Sequence, residues 1–224
     1  MELPDCTSLS AVLDTINEVF FYGRRMGRAR KQQIAKWIAS RIGQKRSYAG
    51  LPSPTEKDFR QSTTLFTGEE LRSRVGIAHI LGEEACRAMI LLDGSNEEIQ
   101  DALRRGCAGM RARLNAWHTQ GMYCCGTCSV ALWRHMAVGG FCQAEAHLAA
   151  GIKALRRHRT RDGQWRRFPF FYTLLALTEI KLPSAIEELR YAAELCELRL
   201  RRKPKANGFS QRRHDVMERA LAMC

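Results

Sequence analysis

The feature that most constrains the fold of this chain is an internal match with a period of 42 residues. The aligned pairs are Gly109 and Gly151, Ala112 and Ala154, Gly121 and Gly163, and Tyr123 and Trp165. In both copies a helical pattern leads through a loop into a second apolar helix that contains an Ala-Leu pair. A fixed period near forty residues with two helices per unit indicates stacked helical hairpins, because one hairpin cannot bury its apolar face alone.

The rest of the chain is also helical in pattern, and no sustained alternation of the strand type appears. Helices are predicted at about 8–22, 28–42, 73–93, 96–118, 127–138, 142–158, 169–181, 184–202 and 210–223, with residues 67–70 as an alternative start of the third. Residues 44–68 are rich in turn formers and predict a long irregular connection. We therefore expect an all-α fold with an N-terminal helical segment, 1–68, and a hairpin-repeat domain, 69–224. One continuous domain is the alternative.

Cysteine use and hydropathy bear on the compartment. The chain has 224 residues, 45% of them hydrophobic, which is enough for a sizeable core. No run of eighteen apolar residues occurs, and the first residues lack the pattern of a secretory signal, so a cytoplasmic protein with mostly reduced cysteines is predicted. Cys86, Cys107 and Cys196 lie in helical patterns on or near apolar stripes, where a thiol behaves as a small hydrophobe.

The formal net charge of +13 favours an anionic partner, such as nucleic acid, acidic lipid or a phosphorylated ligand. The candidate anion-binding residues are Arg156, Arg157, Arg166 and Arg167. The alternative is a solvated face, since arginines near helix C-termini also interact favourably with the helix dipole. A protein partner is a further alternative.

Three cysteines lie at the junction between a loop and a helix: Cys124, Cys125 and Cys128. The last two form a C-x-x-C element, whose spacing lets two thiolates meet one tetrahedral metal, so zinc is a candidate cofactor. His135 lies two helical turns beyond Cys128, about 10 Å away by helix rise. His118, Cys124, or a residue of another helix such as His79 or Cys142, could complete the site instead. A redox thiol pair and ordinary packing are the alternatives.

His79 and Glu83 are spaced at i and i+4 in one helix and form a candidate metal-binding or acid–base pair. An ordinary charged hydrogen bond is the alternative reading. Four aromatic residues, Tyr123, Trp165, Phe171 and Tyr172, are candidates for an apolar ligand pocket. The aromatic residues between Trp165 and Tyr172 could instead stack on bases beside the arginines, and ordinary core packing is the further interpretation.

Residues 160–165, with the Asp-Gly-Gln-Trp sequence, precede an aromatic-rich helix that contains Tyr172, Thr173 and the Ala-Leu pair 176–177. This stretch resembles the repeat of the α/α-toroid proteins, which include squalene and terpene cyclases and the β subunits of protein prenyltransferases. The resemblance covers about residues 73–202. It implies a partial toroid, a homodimer of half-barrels or a curved solenoid, and an inner pocket for an isoprenoid chain.

The chain also departs from that family. It lacks the Asp-x-Asp-Asp acid motif of the cyclases, and no aspartate lies two residues before Cys125 or Cys128, as the zinc site of the prenyltransferases requires. We therefore favour a helical binding or interaction protein with a basic surface. A prenyltransferase-like or cyclase-like enzyme, or an isoprenoid-binding protein, is the first alternative. A metal- or redox-responsive protein that uses the C-x-x-C loop is the second.

Overall fold

The structure, a computed structural model, describes residues 6–92, 95–117, 121–204 and 208–224. Within these residues the chain forms ten helices and one two-stranded sheet. The elements are α1 Leu9–Phe21, α2 Arg28–Ala39, α3 Glu56–Arg60, β1 Thr63–Thr64, β2 Glu70–Leu71, α4 Arg74–Leu91, α5 Glu97–Trp117, α6 Gly126–Ala137, α7 Ala144–Arg156, α8 Phe170–Glu179, α9 Pro183–Leu200 and α10 Gly208–Leu221. The mainly helical class predicted from the sequence is confirmed.

Side-chain caps explain why several helices begin where they do. Ser8 caps α1 by accepting a hydrogen bond from the backbone N–H of Ala11, and Ser73 caps α4 in the same way through Gly76. The other predicted start of α4, at residues 67–70, is wrong. Gly68 has a φ of +83° and turns the chain, so that β2 pairs antiparallel with β1.

Two further expectations need correction. The last helix begins at Gly208, two residues before its predicted start. The connection over 44–68 is not wholly irregular, because it contains α3 and β1. α3 is stabilised by a capping box, in which Thr55 and Asp58 each bond the backbone N–H of the other.

The helices pack in two series. Contacts run from α1 to α4, from α4 to α6, from α6 to α8 and from α8 to α10, and we call these five the central helices. Side chains also link the last to the first, since Arg212 of α10 lies 2.7 Å from Asp14 and 3.1 Å from Glu18, both of α1. The second series contains the pairs α2 with α5 and α7 with α9. The site described below lies at the N-terminus of one central helix.

The connection between α2 and α3 packs onto the helices and is not a free loop. Leu51 is fully buried, and a Cβ on Gly82 of α4 would lie 2.7 Å from its Cβ. The connection therefore packs closely against α4 at Gly82. One hydrophobic cluster includes residues from both sides of the 68/69 boundary, among them Leu9, Leu51, Met89 and Leu174. The boundary itself stays a prediction.

The aligned glycines of the 42-residue match have the same backbone conformation. Gly121 has a φ of +70° and Gly163 a φ of +78°, and they lie in the loops that follow α5 and α7. The aligned aromatics that follow, Tyr123 and Trp165, are both buried. Among the described residues, no helix combines the length and apolar character that crossing a bilayer requires.

Candidate functional site

The cysteine loop forms the N-terminus of α6. Cys125 is the N-cap residue, and its Sγ accepts a hydrogen bond of 3.4 Å from the backbone N–H of Cys128. The two sulfurs lie 3.3 Å apart. Cys124 and Cys125 are exposed, whereas Cys128 is buried. The loop therefore presents two accessible thiols above a third that faces the core.

The three thiols differ in acidity. The hydrogen bond from Cys128 lowers the pKa of Cys125 to about 5, and backbone N–H groups of Cys128 and Thr127 act in the same direction. The same Cys125–Cys128 hydrogen bond, together with burial, raises the pKa of Cys128. Burial raises the pKa of Cys124. Cys125 is thus the sulfur that carries a negative charge most readily, as expected of a thiol at a helix N-terminus.

His79 and Glu83, on successive turns of α4, form a buried pair beneath the loop. His79 Nε2 lies 3.1 Å from Glu83 Oε1, and the two side chains are 3% and 0% exposed. The predicted spacing therefore does give a direct hydrogen bond. Burial raises the pKa of Glu83 to about 7, against the opposing effect of His79. The second carboxylate oxygen, Oε2, is buried without a hydrogen-bond partner among the described residues.

Two tyrosines fix the imidazole of His79. The ring of Tyr48 stacks on it with centroids 4.0 Å apart and planes 24° apart, and the ring of Tyr123 lies 4.9 Å away. The hydroxyl of Tyr123 donates to the carbonyl oxygen of Met110 at 3.0 Å. Arg113 of α5 lies over the ring of Tyr48, with its guanidinium carbon 5.3 Å from the ring centroid. The imidazole therefore has little freedom to rotate.

The fold brings His79 to the cysteine loop. One nitrogen of His79 and the sulfurs of Cys124 and Cys128 all lie within 4.8 Å of one another. Cys125 adjoins this group through Cys128 and also interacts with Cys124. The arrangement joins α4 to the N-terminus of α6, which are adjacent central helices.

The second loop of the 42-residue match packs directly on the first. Arg167 has a φ of +70°, and a Cβ added to Gly126 would overlap its carbonyl oxygen and approach the ring of Phe168. Gly126 is the first residue of α6 and the first residue between the two cysteines of the C-x-x-C element. A side chain at this position would push the two loops apart. The two aligned loops thus form one contact surface beside the thiols.

The remaining predicted ligands lie elsewhere. His135 is fully buried on α6, with Nε2 3.6 Å from the sulfur of Cys107, so the structure does not bring it to the cysteine loop. Cys142 is exposed beyond the end of α6 and is not part of the His79 group. His118 lies outside the described residues. Cys86, Cys107 and Cys196 are buried, as expected of small hydrophobes.

The four aromatic residues predicted to share a pocket have separate surroundings. Tyr123 contacts His79, Trp165 donates to Glu188 Oε2 at 2.9 Å, and Tyr172 donates to Glu84 Oε1. Phe171 is half-buried between arginines. The interpretation as core packing fits Tyr123, Trp165 and Tyr172, which are at most 5% exposed.

The four candidate anion-binding arginines differ in their surroundings. Arg156 forms ion pairs with two carboxylates of α9. One is that of Glu187, and the other is that of Glu188, whose Oε1 lies 3.0 Å from Arg156 Nε. Arg157, Arg166 and Arg167 have exposed side chains. Arg156 is therefore neutralised by the protein itself.

Sequence reasoning missed Tyr48 and Arg113. Tyr48 lies in the connection between α2 and α3, and Arg113 lies 65 residues further along on α5. Their positions against His79 depend on how that connection packs on α4, and no local pattern in the sequence signals it. Comparison of the chain with protein-family models, curated proteins and solved structures gives no match.

Proposed function

We propose that the chain is a zinc-binding helical protein whose metal is held by His79, Cys124, Cys125 and Cys128. The observation that carries this proposal is the group formed by His79, Cys124 and Cys128, whose ligand atoms lie within 4.8 Å of one another. In a tetrahedral zinc site with Zn–S bonds of about 2.3 Å, neighbouring ligand atoms are separated by about 3.5–3.8 Å. Each pair in the group would need to close by at most about 1.3 Å.

Cys125 is the proposed fourth ligand. Its sulfur lies 3.3 Å from that of Cys128, so this pair would need to open by about 0.5 Å to reach tetrahedral spacing. One imidazole and three thiolates make a closed set of the Cys3His type, which is typical of structural zinc. Such a set accounts for all three cysteines of the loop, whereas packing alone accounts only for the buried Cys128.

Glu83 supports the same assignment. A histidine that binds zinc usually donates its other ring N–H to a carboxylate, which fixes the orientation of the ring. With Nε2 3.1 Å from Glu83, His79 would coordinate through Nδ1. The stacking of Tyr48 on the ring holds it in place from the side. Zinc would thus connect α4 with α6 and stabilise the pairing of two central helices.

Metal analysis of protein purified without chelator tests this proposal. We expect about one zinc per chain, and Co²⁺ added to the metal-free protein should give the absorption of a tetrahedral thiolate site. The His79→Gln, Cys124→Ser and Cys128→Ser variants should each lose most of the metal. Cys142→Ser is the matched control, because Cys142 is an exposed thiol outside the group. Protein that neither retains zinc nor takes up added Zn²⁺ or Co²⁺ would rule the proposal out.

Cys125→Ser addresses the coordination number. If Cys125 completes the set, this variant should bind zinc much more weakly and lose one thiolate contribution from the Co²⁺ spectrum. If zinc binding is unchanged, the metal has three protein ligands and an open position, which is the arrangement of catalytic zinc.

A dithiol function is a second candidate, and the 3.3 Å separation of the Cys125 and Cys128 sulfurs favours it. The Cys125 thiolate would attack a small disulfide and release half of it as a thiolate, which takes the Cys128 proton. The Cys128 sulfur would then attack Cys125, forming the protein disulfide and releasing the second thiolate. Incubation with oxidised glutathione and peptide mapping would test it. Only a Cys125–Cys128 disulfide in metal-free protein supports this candidate, and zinc at one equivalent should block it.

We further propose that the helical hairpins form an α/α-toroid-like array. The succession of contacts among the central helices supports this arrangement, as does the link between α10 and α1. A five-helix ring would be smaller than the six-hairpin toroid to which the sequence shows a resemblance. An experimental structure in which the helical hairpins follow one another in a line, without the contact between Arg212 and Asp14, would indicate a solenoid instead.

A further inference from the structure

Arg199 of α9 and Arg213 of α10 are half-buried and form no ion pair within 4 Å among the described residues, a property that they share with Arg41 and Arg219. By contrast, Arg134 pairs with Glu84 and Glu179, and Arg212, next to Arg213, pairs with Asp14 and Glu18. Desolvating a cation without an opposite charge is costly, and an anion bound beside two such groups would offset that cost.

Both guanidiniums are held by the same aromatic ring. The guanidinium carbons of Arg199 and Arg213 lie 5.3 and 4.9 Å from the centroid of Phe171, and Arg199 also lies 4.5 Å from the centroid of Phe170. Arg199 Nη2 donates to Gln164 at 3.2 Å, and Arg213 Nε donates to the carbonyl oxygen of Thr67 at 2.7 Å. A guanidinium has five N–H donors, so each keeps most of its donors for a ligand.

The electrostatic surroundings of Arg199 are mixed. Burial lowers the pKa of Arg199, Cys196 and Asp162 act in the opposite sense, and the neighbouring charges of Arg202 and Arg213 lower it. Arg202 is exposed at the end of α9. Glu69 lies at the start of α8, where it accepts a hydrogen bond from the backbone N–H of Tyr172.

An exposed aromatic ring lies beside these charges. Phe209 is 36% exposed, and a Cβ on Gly68 would lie 2.8 Å from its ring and 3.0 Å from the Arg213 guanidinium. We call Phe171, Arg199, Arg202, Phe209 and Arg213 the arginine face. It combines fixed cations from two helices with an accessible ring, which is the combination that binds single-stranded nucleic acid.

We propose that the arginine face binds single-stranded nucleic acid, with Arg199, Arg202 and Arg213 on successive phosphates and Phe209 against a base. Charges distributed over α9 and α10 fit a chain of phosphates better than one isolated phosphate group. The accessible ring favours nucleic acid over a lipid surface, because a single phenyl group anchors little in a bilayer while each base offers a face for stacking.

Fluorescence anisotropy with a dye-labelled single-stranded oligonucleotide, titrated with salt, tests the proposal. Arg199→Gln/Arg213→Gln should weaken binding on the order of tenfold at low salt. It should also reduce the slope of log K against log salt by about 1.4, since each phosphate contact on a single strand contributes about 0.7. Arg202→Gln should reduce the slope by about 0.7. Arg202 is exposed, so this substitution does not threaten the fold.

The matched control is Arg104→Gln/Arg111→Gln, which removes two exposed positive charges on α5. It should bind nearly as well as the unmodified protein, with a nearly unchanged salt slope. Equal weakening by both double variants would show that only net charge matters and would overturn the proposal. So would absence of binding at low salt, or binding to vesicles that contain phosphatidylserine without binding to the oligonucleotide.

Discussion

Arg134 Nη1 lies 2.6 Å from Glu84 Oε1, and the two side chains are only 2% and 3% exposed. Arg134 also donates to Glu179 and to Asn17 Oδ1, the latter at 2.9 Å. Arg87 bonds the same Asn17 and Glu179. One connected network of charges and amides therefore joins α1, α4, α6 and α8, the first four of the central helices.

Removing the charge at the centre of this network should be strongly destabilising. We predict that Arg134→Met lowers the free energy of unfolding by about 3–5 kcal/mol, because Glu84 and Glu179 are left buried without their main counter-charge. Urea denaturation at pH 7 measures the loss. Arg104→Met is the control, since its pair with Asp101 is solvent-exposed and should contribute less than about 1 kcal/mol. Equal effects of the two substitutions would contradict the prediction.

The carboxylate of Asp58 accepts hydrogen bonds from the residues at the N-terminal end of α1. Burial alone would raise the pKa of its carboxyl, but hydrogen bonds from the Ser10 backbone and from the Ser8 and Ser10 hydroxyls lower it overall. Asp58→Asn places amide hydrogens opposite these donors and should cost about 2–3 kcal/mol at pH 7. Asp101→Asn, at an exposed position, should cost much less.

The pH dependence of that loss follows from the lowered pKa. The stabilisation by Asp58 is fully present above the unfolded pKa near 3.8 and disappears as the pH falls through the lower folded value. The difference in unfolding free energy between Asp58→Asn and the unmodified protein should therefore shrink below about pH 4. A difference that stays constant down to pH 2 would show that ionisation of Asp58 does not contribute.

His135 should make the protein less stable in mild acid. Burial lowers the pKa of His135 to about 4, and the charge of Arg87 lowers it in the same direction. Near pH 6.5 the unfolded chain therefore binds a proton at this histidine, whereas the folded chain does not. Stability contributed by the neutral imidazole is thus lost as the pH falls from 6.5 towards 4. Relative to His135→Leu, the unmodified protein should lose about 2 kcal/mol between pH 7 and pH 5.

Comparing the two proteins at each pH removes the contribution of the other titrating groups. Urea unfolding at pH 7, 6 and 5 is sufficient for this comparison. Parallel curves for the two proteins would show that His135 is protonated equally in the folded and unfolded chains.

Gly151 of α7 is needed for a close helix contact. A Cβ at this position would overlap the indole Nε1 of Trp133, which donates to the carbonyl oxygen of Gly121 at 2.7 Å. Gly151→Ala gains about 1 kcal/mol in helix propensity, but we expect a net loss of about 1–3 kcal/mol from the overlap. Tryptophan fluorescence during urea unfolding measures this loss of stability.

Gly27→Ala serves as the comparison, because a Cβ there meets nothing within 4 Å. It caps α2, so a change of less than about 1 kcal/mol is expected. A Gly151→Ala protein at least as stable as the unmodified one would refute the proposed contact.

Local patterns were sufficient to predict most helices and the pairing of His79 with Glu83. Both depend on residues three to four positions apart, and those relations are fixed once a helix forms. The buried positions of Cys86, Cys107 and Cys196 followed from the same helical spacing. The two-residue strands were missed because so short a pairing leaves no periodicity to detect.

Tertiary relations were beyond local patterns. The sequence gives no sign that Glu188 approaches Arg156, since the two are 32 positions apart and depend on how α9 packs beside α7. Arg134 offered a weaker signal, as a charged residue within the largely apolar α6, but nothing local indicated Glu84 or Glu179 as partners. The same holds for the position of Tyr48 on His79.

The ion pair between Arg212 and Asp14 joins residues 198 positions apart. This contact cannot form while the chain is still being synthesised up to α9, because Arg212 has not yet emerged. Until then the faces of α1 and α8 that α10 covers remain open to water. Docking of α10 on α1 should therefore follow formation of the earlier hairpins, and contacts of such long sequence separation make that step slow compared with formation of the individual hairpins.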